Sequence, residues 1–264
     1  MKKNIVILDG KSLGDVSYDK LKKYGNFTYY DTTSYEEVRT RIKDAHIVFT
    51  NKVVLDKGNL SAAENLELIC EVATGFNNID IEYAKERNIA VTNVAGYSTS
   101  TVVQHTFATA LALMDEVLYY DNFVKSGEYS KCGLFTCLNK PFNEIEGKTW
   151  GIIGLGNIGI RVAKIAEVFG AKVIYYSTSG KNSSKDFERV SFEELLKESD
   201  IISIHAPLNE KTDRLINYDA LCQMKKSSIL INMGRGPIVC EEDIAKALNE
   251  GKIDIEICTT ALHG

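Results

Sequence analysis

Short apolar runs alternate with longer amphipathic stretches along almost the whole chain. That is the pattern of an α/β protein built on parallel strands. In the N-terminal part the runs predict strands at Ile5–Leu8, Phe27–Tyr30, Ile47–Phe49, Leu68–Glu71 and Ala90–Thr92. Helix-like segments fall between them, at Tyr18–Tyr24, Tyr35–Asp44, Ser61–Asn65 and Asp80–Arg87. Ser34 with Glu37 three residues later is a capping-box pattern at the start of the second. These elements make one small doubly wound domain over residues 1–98.

A long helix is expected next, because Ser98, Thr99 and Ser100 offer capping hydroxyls ahead of the apolar stretch Val102–Leu118. Residues 126–148, with Gly127, Gly133, Pro141 and Gly147, read as a loop or arm. From Lys148 the alternation restarts. Strands are predicted at Thr149–Ile153, Lys172–Tyr176, Ile201–Ile204, Ile229–Asn232 and Ile253–Cys258, and helices at Asn157–Phe169, Phe192–Glu198, Tyr218–Met224 and Glu241–Asn249. The second domain therefore covers 99–264. With five predicted strands it falls one short of the six in a full dinucleotide fold.

Composition removes several classes. The chain has 264 residues, a formal charge of −5 and 44% hydrophobic residues, which is ordinary for a globular protein. A mildly acidic balance argues against nucleic acid or an anionic membrane as the main partner. The apolar run after Met1-Lys2-Lys3-Asn4 is too short for a secretory leader. The six cysteines are scattered without a Cys-x-x-Cys, so no metal site is expected and a reducing cytoplasmic compartment fits.

Candidate chemistry begins at Gly154-Leu155-Gly156-Asn157-Ile158-Gly159, a G-x-G-x-x-G string between a predicted strand and helix. The first glycine permits the tight turn, the second lets a pyrophosphate approach the backbone, and the third allows close helix–strand packing. The free N–H groups of the helix N-terminus then face the phosphates. A carboxylate at the tip of the next strand would bond the ribose of NAD, but that tip reads Tyr176-Ser177-Thr178-Ser179-Gly180-Lys181. Hydroxyls and an ammonium accept a 2′-phosphate, so NADP is expected over NAD.

Three stretches together carry a family resemblance: Ala73–Asp80, Asn93–Thr99, and the pair Gly154–Gly159 with Asn232-Met233-Gly234-Arg235-Gly236. The sequence resembles the D-isomer-specific 2-hydroxyacid dehydrogenases, near the glycerate dehydrogenase (hydroxypyruvate reductase) branch. The resemblance covers nearly the whole chain, to about Lys252. It implies a flavodoxin-like substrate domain, a Rossmann domain for NAD(P), and interconversion of a 2-oxo acid with a D-2-hydroxy acid.

By the same resemblance, Arg235 holds the substrate carboxylate and polarises the carbonyl, and the backbone of Thr74 and Gly75 binds that carboxylate. Asn157 and Ile158 face the pyrophosphate, Ala206 and Pro207 the adenosine side, and Met233 and Gly234 the nicotinamide side. A homodimer formed through residues around 120–147 is implied as well. His205 is expected to shape the adenosine pocket, while His46 and His105 are read as structural.

Family members also carry a Glu-Pro pair and a strand ending in Pro-His, which supply the acid; neither pair occurs here. His263 belongs to neither motif. The expectation is a C-terminally truncated Rossmann domain that binds cofactor with little turnover. A noncatalytic dinucleotide-binding regulator and an inactive shortened product stay open beside the oxidoreductase.

Overall fold

The computed structural model describes residues 2–253 and 257–259. The chain divides into two compact units, Met1–Ser98 and Thr99–Gly264.

The first unit is a five-stranded parallel sheet: β1 (Lys3–Ile7), β2 (Gly25–Tyr29), β3 (Ile47–Thr50), β4 (Leu68–Glu71) and β5 (Ala90–Thr92). Its order is β2-β1-β3-β4-β5, the flavodoxin-like arrangement. Val6, Leu8, Val38, Val48, Leu60 and Ile69 meet in its core. The Tyr35–Arg41 helix starts at the expected place, with the Ser34–Glu37 capping box formed. Two helix expectations are corrected. Tyr18–Tyr24 yields only a short 3-10 turn, Leu21–Lys23. The helix expected at Ser61–Asn65 lies one turn earlier, at Lys57–Leu60, because the Asp56 carboxylate accepts the Asn59 N–H and fixes the start there.

In the second unit the long helix breaks. Thr99–Met114 and Val117–Lys125 are separate helices, divided where Glu116 takes the left-handed φ of 51°. The Asn143 N–H donates to the Met114 carbonyl at 2.9 Å and supports the first helix at its end. Within residues 126–148 one short helix forms, Glu128–Lys131.

The sheet behind these helices holds β6 (Thr149–Ile153), β7 (Lys172–Tyr176), β8 (Glu188–Arg189), β9 (Ile201–Ile204), β10 (Ile229–Asn232) and β11 (Ile257–Thr259). All pairings are parallel, in the order β11-β10-β9-β6-β7-β8. The count is six strands rather than five. The sequence pattern misses β8 because it is a two-residue edge strand of exposed polar side chains, with no apolar run to mark it. Of the last predicted strand, Ile257 and Cys258 lie in β11, Ile253 is buried outside it, and residues 254–256 and His263 lie outside the described residues. All four residues of β9 are buried, as expected for a strand covered on both faces.

Candidate functional site

The order of the second sheet reverses between β6 and β9, where their connections depart to opposite sides. Ligands of open α/β sheets bind in the crevice at the carboxyl ends of such strands. A cavity of about 800 Å³ opens there, lined from three loops. Gly154 and Gly156 come from the loop after β6, Thr178 and Lys181 from the loop after β7, and Ala206 and Pro207 from the loop after β9. All six are residues that the sequence singles out, and the fold brings them together.

Each glycine of the string has its own reason. Gly154 has φ +95°, and a Cβ there would lie 2.9 Å from the Ala206 nitrogen. Gly156 has nothing within 4 Å of where its Cβ would stand, so its backbone faces open space. At Gly159 a Cβ would come within 2.3 Å of the Gly154 carbonyl oxygen. Only glycine lets helix and turn approach this closely. The cradle therefore fits a dinucleotide: a pyrophosphate can approach Gly156, and the Asn157–Val168 helix presents its first N–H groups there.

Asn157 is exposed at the first position of that helix, while Ile158 is half-buried against the core and Gly159 is buried beneath the turn. Ser177 ends the turn of chain after β7; its hydroxyl is buried and finds no hydrogen-bond partner among the described residues.

Met233, Gly234 and Arg235 follow β10. A Cβ on Gly234 would meet the Ala206 carbonyl oxygen at 2.7 Å, so this turn lies directly beside the cavity wall. Asn232 shapes it. Its side-chain oxygen accepts the Gly234 N–H at 3.0 Å, and its amide donates to the Arg235 carbonyl at 2.8 Å. Arg235 is exposed, and its guanidinium donates to the Gly234 carbonyl at 3.0 Å.

His205 is fixed by a short hydrogen-bond chain. The buried Trp150 Nε1–H can only donate, and gives its proton to Ser203 Oγ at 2.9 Å. Ser203 Oγ in turn lies 3.0 Å from His205 Nε2, and the two share a hydrogen bond. Desolvation pushes the His205 pKa down to about 3, so this ring shapes the pocket and carries no charge.

The sequence reading passes over several residues of the same cavity. Asn182 donates from its side chain to the Leu155 carbonyl at 2.8 Å, tying the loop after β7 over the glycine turn. Asn209 and Lys211 line the opposite rim, where the Asn209 side chain accepts the Lys211 N–H at 2.9 Å. Arg189 of β8 donates to the Gly180 carbonyl at 3.1 Å. None belongs to a motif. The Asx-turn spacing of Asn209 and Lys211 is the one local signal that could have marked that rim.

Thr74 and Gly75 belong to the first unit, in the loop after β4. The Thr74 hydroxyl donates to the Val94 carbonyl at 3.1 Å, and Asn93 donates to the Thr74 carbonyl at 2.8 Å. The loops after β4 and β5 thus hold each other, and the exposed 74–75 segment sits at the carboxyl edge of that sheet. Beneath it lie two buried carboxyl groups, Asp9 and Glu71. Asp9 accepts the N–H groups of Asn51 (3.1 Å) and Lys52 (2.7 Å). Among the described residues Glu71 has one donor, the Asn78 side-chain amide at 3.0 Å, and its other oxygen has no partner. Burial pushes the Glu71 carboxyl up to about 7.

A parallel sheet of order 3-2-1-4-5-6 with a glycine cradle at its switch point defines a dinucleotide-binding protein. The family follows from comparison with known proteins. The catalytic-domain model of the D-isomer specific 2-hydroxyacid dehydrogenases matches residues 5–129, and the NAD-binding-domain model of the same family matches residues 107–257. The chain belongs to that family.

A hydroxypyruvate reductase of Blautia hydrogenotrophica is 37% identical over 257 residues, spanning 94% of this chain and 80% of the relative. An acyclic imino acid reductase solved with NADPH and D-Arg superposes with a TM-score of 0.86 at 29% identity, over 98% of this chain and 83% of the other. The D-lactate dehydrogenase of Aquifex aeolicus, solved with NAD and lactic acid, gives 0.84 at 29% identity, over 98% and 77%. Among the described residues no helix is long and apolar enough to cross a membrane.

Proposed function

We propose that this protein interconverts a 2-oxo acid and a D-2-hydroxy acid with a nicotinamide dinucleotide, in the manner of a hydroxypyruvate or glyoxylate reductase. The observation that carries the reading is Arg235, exposed on a turn that is fixed by Asn232 and pressed against the wall of the glycine-lined cavity. Its planar fork suits a substrate carboxylate, and its fixed charge stabilises the alkoxide that develops from the carbonyl. Thr74 and Gly75 of the first unit are read as offering backbone N–H groups to a substrate carboxylate. When bound, the dinucleotide would supply the hydride and solvent water the proton that completes the hydroxyl, while the protein supplies orientation and charge.

Gly154, Gly156, Asn157, Ile158 and Gly159 hold the pyrophosphate in this reading. Ala206 and Pro207 flank the adenosine, and Met233 and Gly234 the nicotinamide side. NADPH is the preferred reduced cofactor, because Ser177, Thr178 and Lys181 place hydroxyls and an ammonium where a carboxylate would be needed for NADH. Homodimerisation is supported by the apolar side chains exposed along residues 126–148, with Phe135 96% and Leu138 76% exposed. The dispersed free cysteines suit a reducing cytoplasm.

The test is reduction of hydroxypyruvate, glyoxylate and pyruvate by protein of confirmed mass, with NADPH and NADH compared, and light scattering for the dimer. Oxidation of NADPH that depends on a 2-oxo acid and is lost in Arg235→Ala supports the reading. NADPH binding without turnover of any 2-oxo acid overturns it.

A further inference from the structure

The least satisfied ionisable group of the first unit is Glu71. It is 1% exposed and ends β4, two residues before the segment Ala73–Gly75. An ionised carboxylate offers about four acceptor positions, and burying one with a single neutral donor is costly. Among the described residues Glu71 has that single donor, the Asn78 amide, and its Oε1 is enclosed without a partner. The contrast with Asp9 is direct, since the Asp9 carboxylate is met by two backbone N–H groups, of Asn51 and Lys52.

The charged groups facing Glu71 are the Asp9 carboxylate from the loop after β1 and the Lys52 ammonium from the loop after β3. They oppose each other, with Asp9 favouring the protonated form and Lys52 the anion.

Glu71 also sits where two loops are joined. The Asn78 amide that donates to Glu71 uses its second hydrogen on the Val53 carbonyl, at 3.1 Å. The Asn78 carbonyl in turn accepts the Leu55 N–H at 2.8 Å. One side chain therefore links β4, the loop after β3 and the loop that carries Thr74 and Gly75. A charge on Glu71 would strengthen the bond from the shared Asn78 donor, but a buried charge with so few partners favours opening of the segment to water, and it adds a second buried negative charge close to an anion-binding segment.

We propose that Glu71 is a positioning residue of the substrate loop that acts as the neutral acid, so that its ionisation loosens the Thr74–Gly75 loop and weakens binding of an anionic substrate. The proposal rests on the reading of Thr74 and Gly75 as carboxylate binders. It goes beyond that reading by assigning the pH dependence of substrate binding to a residue that touches no substrate. Because burial pushes Glu71 up to about 7, the change falls in the physiological range.

Two measurements on the whole protein test it. The first is KM and kcat for hydroxypyruvate against pH in the natural protein, Glu71→Gln and Asn78→Ala. If only the neutral acid binds, KM in the natural protein rises roughly 30-fold between about pH 6 and about pH 8.5 while kcat changes little. Glu71→Gln keeps the low-pH KM throughout. Asn78→Ala, lacking the donor that favours the anion, moves the rise to higher pH. The second is amide hydrogen exchange of peptides covering 51–55 and 72–79 across the same range, corrected for intrinsic rates. Protection should fall above neutrality in the natural protein and stay constant in Glu71→Gln.

The same pH dependence of exchange in both proteins overturns the proposal, whether or not any 2-oxo acid is turned over. Absence of turnover with the exchange difference present refutes the function and leaves the role of Glu71 standing. A KM that rises equally in both proteins refutes the link to substrate binding.

Discussion

Both sheets place their candidate chemistry at the carboxyl edge, but they build it from different material. In the second unit the cradle is backbone. Gly154 turns with a positive φ, Gly156 leaves open space, and Gly159 lets a helix approach a turn. In the first unit the loops are shaped by buried side chains, with Asp9 drawing in the backbone of Asn51 and Lys52 while Glu71 and Asn78 join two loops. A backbone cradle depends on the absence of side chains and is indifferent to pH. A side-chain scaffold carries charge, and its geometry responds to protonation.

The largest effect should come from Arg235, an exposed charge on the turn beside the cavity wall of the second unit. Arg235→Ala removes the fork proposed to bind the carboxylate and stabilise the alkoxide. Loss of such a donor costs about 10²–10³ in rate. Steady-state kinetics should show kcat/KM falling by that order, with NADPH affinity from fluorescence titration nearly unchanged. A comparable loss of cofactor affinity would show that Arg235 belongs to the backbone cradle rather than to the substrate.

A methyl group in the cradle comes next. In Gly159→Ala the new carbon would meet the Gly154 carbonyl oxygen at 2.3 Å and Ile152 Cγ2 at 3.2 Å, neither of which can swing away. Overpacking of this kind costs about 1–3 kcal/mol. Thermal melts should show the loss, and NADPH binding should weaken more than 100-fold (an effect on the order of 3 kcal/mol). An alanine tolerated in both measurements would mean that the cradle is not set by backbone approach.

How much of this was legible in the sequence divides along the same line. Apolar runs located nearly every strand, and glycine spacing located the cradle, because both are local properties of the chain. β8 escaped because two polar residues on an edge make no pattern. The break at Glu116 escaped because Asp115-Glu116 is a two-residue polar interruption between apolar runs, and a helix carries such a pair on its solvent face as readily as a break; no glycine marks the left-handed φ. Asp9 and Glu71 carry no motif, and Asn78, though inside the Ala73–Asp80 stretch, has no role that its spacing reveals. They are ordinary polar letters until a fold buries them together, and burial is not written in spacing.

The buried acid gives the next test, in stability rather than rate. The folded pKa of Glu71 lies above that of the unfolded chain, so folding takes up a proton. Its contribution is fully present at low pH, declines as pH rises from the usual carboxyl range through about 7, and is then absent. Glu71→Gln carries no such proton. Denaturant titrations should therefore show the variant gaining on the natural protein by up to about 3 kcal/mol between pH 4 and pH 8. A constant difference across pH would place the Glu71 titration at its ordinary value and remove the contrast between the two units.

The smallest expected effect concerns the rim of the cradle, where the second unit does use side chains. Glycine backbone cannot distinguish NADPH from NADH, since both present the same pyrophosphate; the choice falls to Thr178, Lys181 and their neighbours on the cavity wall. Lys181 is exposed, so its attraction for a 2′-phosphate is screened by salt and modest in size. Lys181→Ala should raise the Kd of NADPH about tenfold, near 1.4 kcal/mol, and leave NADH unchanged. The difference should shrink as salt is added. Ser177→Asp should act in the opposite direction, repelling the 2′-phosphate and offering a carboxylate to the ribose of NADH. Equal weakening of both cofactors by Lys181→Ala would assign the lysine to the shared pyrophosphate, making the backbone cradle incomplete without a side-chain charge.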